Sequence, residues 1–556
     1  MRLDSFEEVK KITESLIRIP SVVGAAGQET ACAEKVYEYY AELPYFQKNP
    51  KQLYLLKTED DAMDRHSAVA YVRGTKGSSR KTVILMGHID TVGVDDFTPD
   101  STIAFDPERI PEHLLKTEAI DPQVKADIES GEFLFGRGAL DMKSGVACQM
   151  YVVKYFSEHP EELDGNLLAI AHCDEEDMSH GILTGLIDFK RLKAEEGFEY
   201  IASINSDYCT PYFEGDENRY IYFGAVGKLL PSFYIVGRET HVGQPYGGLD
   251  PNLIAAEITH RIELNTGLCD ESHGEITMPP VSLKQADRKE LYTVQTAGAA
   301  YCYYNFFTHS MSPKDVMEKV KTIAEEAFEA VIGRINASWR EYCGKANFQY
   351  RELPWKARVL TYQEFYEELK GIHGDGFEAH IREFSHRLNQ EQPLMDLRNF
   401  SVRIIEEAWK WSSDKNPAVI LYFSSSYCPR VEVTGKDEKE RRLISAVDEA
   451  VGREQPCCRN TIIKKWFFPY ISDASFMAVC DDEEALAALE KNMPAWGEKY
   501  THKVKDILEI NVPVVNIGSH GQDGHKYTER VHQRYTFENV TNMIYNTVRE
   551  LLPVAR

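Results

Sequence analysis

Four short apolar runs, Ser67–Val72, Thr82–Met86, Asn166–Ala171 and Tyr200–Ile204, limit most sharply what this chain can fold into. Each is only five or six residues long, enough for one strand and too short for a helix. Near-continuous rather than alternating apolar character marks strands covered on both faces. Helical patterns separate the runs, notably Gly145–Phe156, and an amphipathic stretch with Phe6, Val9, Ile12, Leu16 and Ile17 precedes them. Strand–helix alternation of this kind predicts an α/β fold with a mostly parallel central sheet.

After about residue 228 the pattern changes. Leu229–Val236 reads as a strand, Asn252–Leu264 as a helix, and Thr277–Lys284 and Thr293–Phe307 as strands. A helix over Pro313–Trp339 and a strand near Asn347–Tyr350 follow. That order suits a small α+β domain with a four-stranded antiparallel sheet. Leu353–Asp414 is helical and rich in charge and aromatics, and the α/β pattern then resumes with Ala418–Phe423, Asp437–Gly452, Pro513–Ile517 and Thr536–Leu552. The expected organisation is therefore an α/β domain in two parts, 1–226 and 415–556, interrupted by an insertion at 227–414 whose segment 353–414 is extra.

Charge narrows the function. Lys and Arg number 63 against 88 Asp and Glu, a net −25. Such a chain repels phosphate backbones and anionic membrane surfaces, so neither nucleic acid nor membrane is an expected partner. Asp4, Glu7, Glu8, Lys10 and Lys11 make the first residues unlike a secretory signal, and no run is apolar enough to span a bilayer. Eleven cysteines with no CxxC pair fit reduced thiols in a cytoplasm better than a disulfide framework. HExxH, GxSxG and Walker A patterns are missing, and Gly136-Arg137-Gly138 does not continue into a full dinucleotide-binding turn.

Chemistry-bearing residues cluster after the strands, where open α/β sheets place their sites. His88-Ile89-Asp90 follows Thr82–Met86, a spacing that lets an acid fix the tautomer of a metal-bound histidine, or a chance pair at a strand end. Asp141 stands in the glycine turn Gly136–Gly145, as a ligand or as a helix cap. Asp174-Glu175-Glu176-Asp177 follows Asn166–Ala171; a solvated charge run is the plain explanation, yet four acids at a buried strand end repel unless a cation holds them. Ser206-Asp207 ends Tyr200–Ile204, and His525 to Glu529 follows Pro513–Ile517. Two histidines with several carboxylates suit zinc, and tolerate manganese or cobalt.

Met86–Val92 (MGHIDTV), Gly136–Gly145 (GRGALDMKSG), Asp174–Glu176 and His525–Glu529 (HKYTE) together resemble the ArgE/DapE/aminoacylase/carboxypeptidase G-type co-catalytic zinc peptidases. Glu14–Val22 is similar to that family's first helix and turn. The resemblance implies two divalent metal ions, zinc foremost, one held by His88, Asp141 and Asp207 and the other by Asp141, Glu176 and His525. Asp207 matches by position rather than by motif. It implies that Asp90 orients His88 and that Glu175 is the general base, moving a proton from the attacking water to the leaving amine. In Gly237-Arg238-Glu239-Thr240-His241, His241 would stabilise the tetrahedral oxyanion, reached by closure of the inserted lid/dimerisation domain or from a neighbouring subunit. The extra segment favours the first arrangement, and monomer and homodimer both stay open.

One departure bears on substrate. Desuccinylase-like members carry Asn-Phe-Arg in the lid sheet, whose arginine grips a carboxylate; here Asn305-Phe306-Phe307 puts Phe307 in that place. The substrate-binding candidates are thus Phe307, Asn305 and Arg238, the last as a replacement grip. Length and the extra segment resemble the longer RocB-like branch associated with arginine utilisation. The expected function is hydrolysis of an amide or peptide bond in a small amino-acid-derived molecule. A dipeptidase or aminopeptidase is the nearer alternative, and a metal-binding scaffold without hydrolysis the more distant one.

Overall fold

The computed structural model describes residues 2–117 and 120–553. The chain divides into two compact units, one of Met1–Ala225, Val431–Val479 and Lys503–Arg556, the other of Val226–Arg430 and Cys480–His502. The first holds an eight-stranded sheet in the order Leu53–Lys57, His66–Arg73, Asn166–His172, Lys81–His88, Glu199–Asn205, Val514–Asn516, Arg219–Phe223, Ile462–Lys465. All four apolar runs are strands of this sheet. It is mixed: Asn166–His172, Lys81–His88, Glu199–Asn205 and Val514–Asn516 run parallel, while Leu53–Lys57, His66–Arg73 and Arg219–Phe223 bring in antiparallel pairings.

The parallel centre positions the site. Three neighbouring strands end along one sheet edge, with His88 and His172 in register. The helix Lys143–Glu158 buries Val146, Ala147, Met150 and Val153. Gly145 permits its close approach, since a Cβ there would stand 2.1 Å from the Ser206 carbonyl oxygen. Gly145→Ala is expected to cost about 1–3 kcal/mol through overpacking, read as a lowered denaturant midpoint at constant m. An unchanged midpoint would mean that the helix shifts freely off the strand end.

The second unit differs from the expectation in three ways. Its sheet has six strands, ordered Val281–Asp287, Ala299–Thr308, Pro231–Val236, Ala418–Phe423, Val359–Thr361, with Gly227–Leu229 pairing on Ala299–Thr308. One pairing, Val359–Thr361 with Ala418–Phe423, is parallel. Ala418–Phe423 was expected to reopen the α/β domain but lies antiparallel to Pro231–Val236, so this unit runs to Arg430 rather than 414 and includes Cys480–His502. No strand forms at Asn347–Tyr350: the helix continues through Pro313–Ala346, Asn347 ends it in the left-handed region at φ 55°, and irregular chain follows.

Strand alternation explains how both faces of this sheet are covered. Tyr234, Val236, Tyr301, Ile420 and Tyr422 pack with Phe365, Phe377, Phe400 and Ile404 from the helices Tyr362–His373, Asp375–Glu391 and Leu397–Trp411. On the other face Phe233 meets Tyr304 edge-on, and the Tyr304 hydroxyl bonds Thr259 of the helix Pro251–Ile262. The extra helical segment is thus the second cover of a sheet that would otherwise expose an aromatic face. Among the described residues no helix is long and apolar enough to cross a membrane.

Candidate metal centre

His88 closes the strand Lys81–His88, Asp207 follows Glu199–Asn205, and Glu175 and Glu176 follow Asn166–His172. Three parallel strand ends thereby supply three sides of one site. Asp141 enters from the glycine turn before Lys143–Glu158, and His525 from the loop between Gly521–Gln522 and Arg530–His532. Potential ligand atoms of His88, Asp141 and Asp207 all lie within 4.8 Å of one another, and so do those of Asp141, Glu176 and His525. Asp141 belongs to both groups. Its Oδ1 is 2.9 Å from His88 Nε2 and its Oδ2 2.8 Å from His525 Nε2. Glu175 Oε2 stands 3.8 Å from His88 Nε2.

Buried contacts hold these groups in place. Asp90 was expected to orient His88 through its carboxylate. Instead its main-chain carbonyl, 3.1 Å from His88 Nδ1, takes that role, and the carboxylate Oδ1 is 3.7 Å away. A carbonyl only accepts, so Nδ1 carries a proton and Nε2 is the nitrogen turned to Asp141. The Asp90 carboxylate accepts the Glu176 N–H at 3.0 Å, fixing the neighbouring loop. Glu529, present in the HKYTE stretch without an assigned task, accepts the N–H groups of Leu140 and Asp141 at 3.0 and 3.2 Å. Arg137 in turn bonds Glu529 at 2.9 Å and Asp96 at 3.0 Å.

The acidic run separates by role. Asp174, buried and at φ 69°, pairs with Arg65 and lies 2.5 Å from His180 Nδ1. Its charge is answered within the fold, which leaves Glu175 and Glu176 for the site. Sequence reasoning passed over His172 and Asp473, both buried, with Nδ1 and Oδ2 3.2 Å apart and the His172 ring 6.5 Å from that of His88. No motif marks Asp473. Only folding brings it to the strand end.

Electrostatics tests whether this donor set fits a cation. Burial, then the Asp141 charge, pushes the Asp207 carboxyl up to about 7. Burial raises Glu175 well above the carboxylate range, with Asp473, Glu176 and Asp207 adding to it against His88. Hydrogen bonds to Asp141 and Glu176 raise His525 to about 10. Glu176 Oε1 is buried and lies 3.1 Å from His525 Nε2. Crowded buried carboxylates beside two imidazoles suit divalent cations with mixed nitrogen and oxygen ligands. The residues fit a metal pair.

Four predicted residues belong to the second unit. His241 is exposed and its Nδ1 accepts the Gly243 N–H at 3.0 Å. Arg238 places its guanidinium 5.9 Å over the Trp355 ring. Asn305 and Phe307, both half-buried, share by alternation the sheet face of Tyr301 and Tyr303, and Phe307 pairs with Lys228.

A mixed sheet whose strand ends gather two histidines and three carboxylates around one shared aspartate defines a metallohydrolase. The chain belongs to peptidase family M20/M25/M40, whose model it matches over residues 84–550. It is 37% identical to Protein RocB of Bacillus subtilis (strain 168) over 546 residues, 98% of this chain and 95% of that protein. Uncharacterized protein YqjN of the same organism is 31% identical across 99% and 98% of the two chains. Among solved structures, Bacillus subtilis YXEP protein, a dinuclear metal binding peptidase from the M20 family, shares the fold with a TM-score of 0.50 at 10% identity, covering 98% of each chain.

Proposed function

We propose that this protein hydrolyses an amide or peptide bond in a small amino-acid-derived substrate, an N-acyl amino acid or short peptide, with two divalent ions, zinc foremost. The observation that supports this most is the sharing of Asp141 between two ligand groups. His88, Asp141 and Asp207 would hold one ion, and Asp141, Glu176 and His525 the other. Bound there, the pair would polarise the scissile carbonyl and acidify the attacking water. Glu175, close to His88 and raised in pKa by burial, is suited to take that water's proton and deliver it to the leaving nitrogen. Its proximity to the ligand cluster also favours hydrolysis over a scaffold that merely holds metal.

His241 supplies the oxyanion contact in this reading. Because the Gly243 N–H donates to Nδ1, the neutral ring keeps its proton on Nε2, where it serves as a donor. His241→Ala is expected to lower kcat by about 10²–10³-fold with KM little changed. A wild-type kcat would remove His241 from the mechanism.

Substrate choice follows from Phe307. An aromatic ring cannot form the bidentate pair that an arginine makes with a carboxylate, so an apolar or cationic moiety is expected there. Identity to Protein RocB along nearly the full length supports placing the activity in arginine or ornithine catabolism. Eleven cysteines with no CxxC pair suit a reducing cytoplasm. A panel of basic, neutral and dicarboxylic N-acyl amino acids and dipeptides, compared by kcat/KM on zinc-loaded protein, tests this. Basic and neutral N-acyl amino acids are expected to lead. A preference for dicarboxylic substrates would overturn the role of Phe307, and activity confined to dipeptides would make the enzyme a dipeptidase.

A further inference from the structure

Within the second unit, the loop that carries His241 is held unevenly by its own backbone. Its base is well tied: Arg238 and Leu249 exchange N–H···O bonds of 2.8 and 2.9 Å, the Thr296 N–H donates to the Thr240 carbonyl at 2.9 Å, and the Val242 N–H donates to Val294 at 2.9 Å. The tip, Gln244–Gly247, makes backbone bonds only within its own turn, Gln244 N–H to the His241 carbonyl at 2.8 Å and Gly247 N–H to the Gln244 carbonyl at 2.9 Å, and the Thr240 hydroxyl donates to the Gln244 carbonyl at 2.8 Å. His241 and Val242 are exposed, so side-chain burial at the histidine does nothing to hold it. A glycine-rich exposed turn of this kind belongs to the low-stability end of a fold unless something outside it takes hold.

Something does. The Tyr246 ring lies on Trp339 with centroids 4.7 Å apart and on Tyr342 at 5.8 Å, and its hydroxyl bonds the Ser338 hydroxyl at 3.0 Å. At the other end of the loop the Arg238 guanidinium covers Trp355. Trp339 and Trp355 belong to one folded piece. The helix Pro313–Ala346 outlasts its expected end at Trp339, and the chain after Asn347 doubles back along its last turns. Trp339 Nε1–H donates to the Arg351 carbonyl at 3.0 Å, and the Leu353 N–H donates to Asn336 Oδ1 at 2.9 Å. A cation over an indole and a close aromatic pair inclined at 42° are both directional contacts, so together they set the tilt of the loop as well as its distance.

We propose that Tyr246 and Arg238 are positioning residues, a two-point clasp on Trp339 and Trp355 that holds the His241 loop in its reactive placement. The proposal rests on the reading of His241 as the oxyanion donor. It also gives Arg238 a task other than gripping the substrate carboxylate.

The test is steady-state kinetics on the zinc-loaded full chain, with metal content and unfolding midpoint measured in parallel. Tyr246→Ala is expected to lower kcat by about 10- to 100-fold while KM stays within about threefold, since misplacing a catalytic group by about 1 Å has effects of that size. Zinc content and midpoint should match the parent. Tyr246→Phe, which keeps the ring on Trp339, should restore kcat to within about threefold. In a His241→Ala background, Tyr246→Ala should add no further loss, because residues acting through one group are not additive. Arg238→Gln should repeat the pattern with a smaller drop. A His241→Ala defect combined with wild-type kcat in Tyr246→Ala would overturn the clasp, and so would full additivity in the double variant. A wild-type kcat in His241→Ala would instead overturn the reading of His241 itself.

Discussion

Glu175→Gln is expected to lower kcat by about 10²–10⁴-fold or more, because an amide can accept a hydrogen bond from water but cannot carry its proton to the leaving nitrogen. The side chain is nearly isosteric and belongs to neither ligand group, so zinc content should stay at the parent value. Both measurements are needed. Lost turnover with retained metal assigns the proton transfer to Glu175, whereas near-parent turnover would move that role to another acid, Asp473 being nearest to hand through its effect on Glu175.

The second large effect concerns the shared aspartate. With Oδ1 turned to His88 and Oδ2 to His525, Asp141 serves both ligand groups. Zinc-loaded protein is expected to carry about two ions per chain. Asp141→Ala should lose both ions and all measurable turnover, whereas Asp207→Ala should retain about one, since only one group includes Asp207. Metal analysis after dialysis decides the matter. Two ions retained by Asp141→Ala would show that the carboxylate does not bridge.

Much of this architecture is legible in the residues. The four apolar runs announce strands because burial on both faces leaves no room for polar alternation, and three of them lead to His88, to Glu175 and Glu176, and to Asp207. What stays hidden is pairing at a distance. Ala418–Phe423 reads correctly as a buried strand, but nothing in six apolar residues says which sheet it joins. Glu529 sits in a recognisable stretch, yet its task appears only when its carboxylate meets the Leu140 and Asp141 amides across nearly four hundred residues of sequence. Asp90 shows the same limit at short range. The spacing to His88 is informative, but whether carboxylate or carbonyl makes the contact depends on the turn after the strand. Arg238 presents a free charge in the sequence and an occupied one in the fold, because Trp355 reaches it only when the chain doubles back after Asn347.

The order of strands in the first sheet has a consequence for the birth of the protein. Val514–Asn516 lies between Glu199–Asn205 and Arg219–Phe223, so the middle of the sheet keeps a gap until residues 514–516 have been made. Chains emerge from the ribosome amino end first, and domains fold as their parts become available. The whole second unit can therefore fold while the first still lacks a strand. His525 comes later still, beyond that strand in the chain. A growing chain thus holds His88, Asp141, Glu175, Glu176 and Asp207 well before the histidine that completes the second ligand group. The candidate metal centre is complete only once that strand fills the sheet and the loop after it brings the last imidazole.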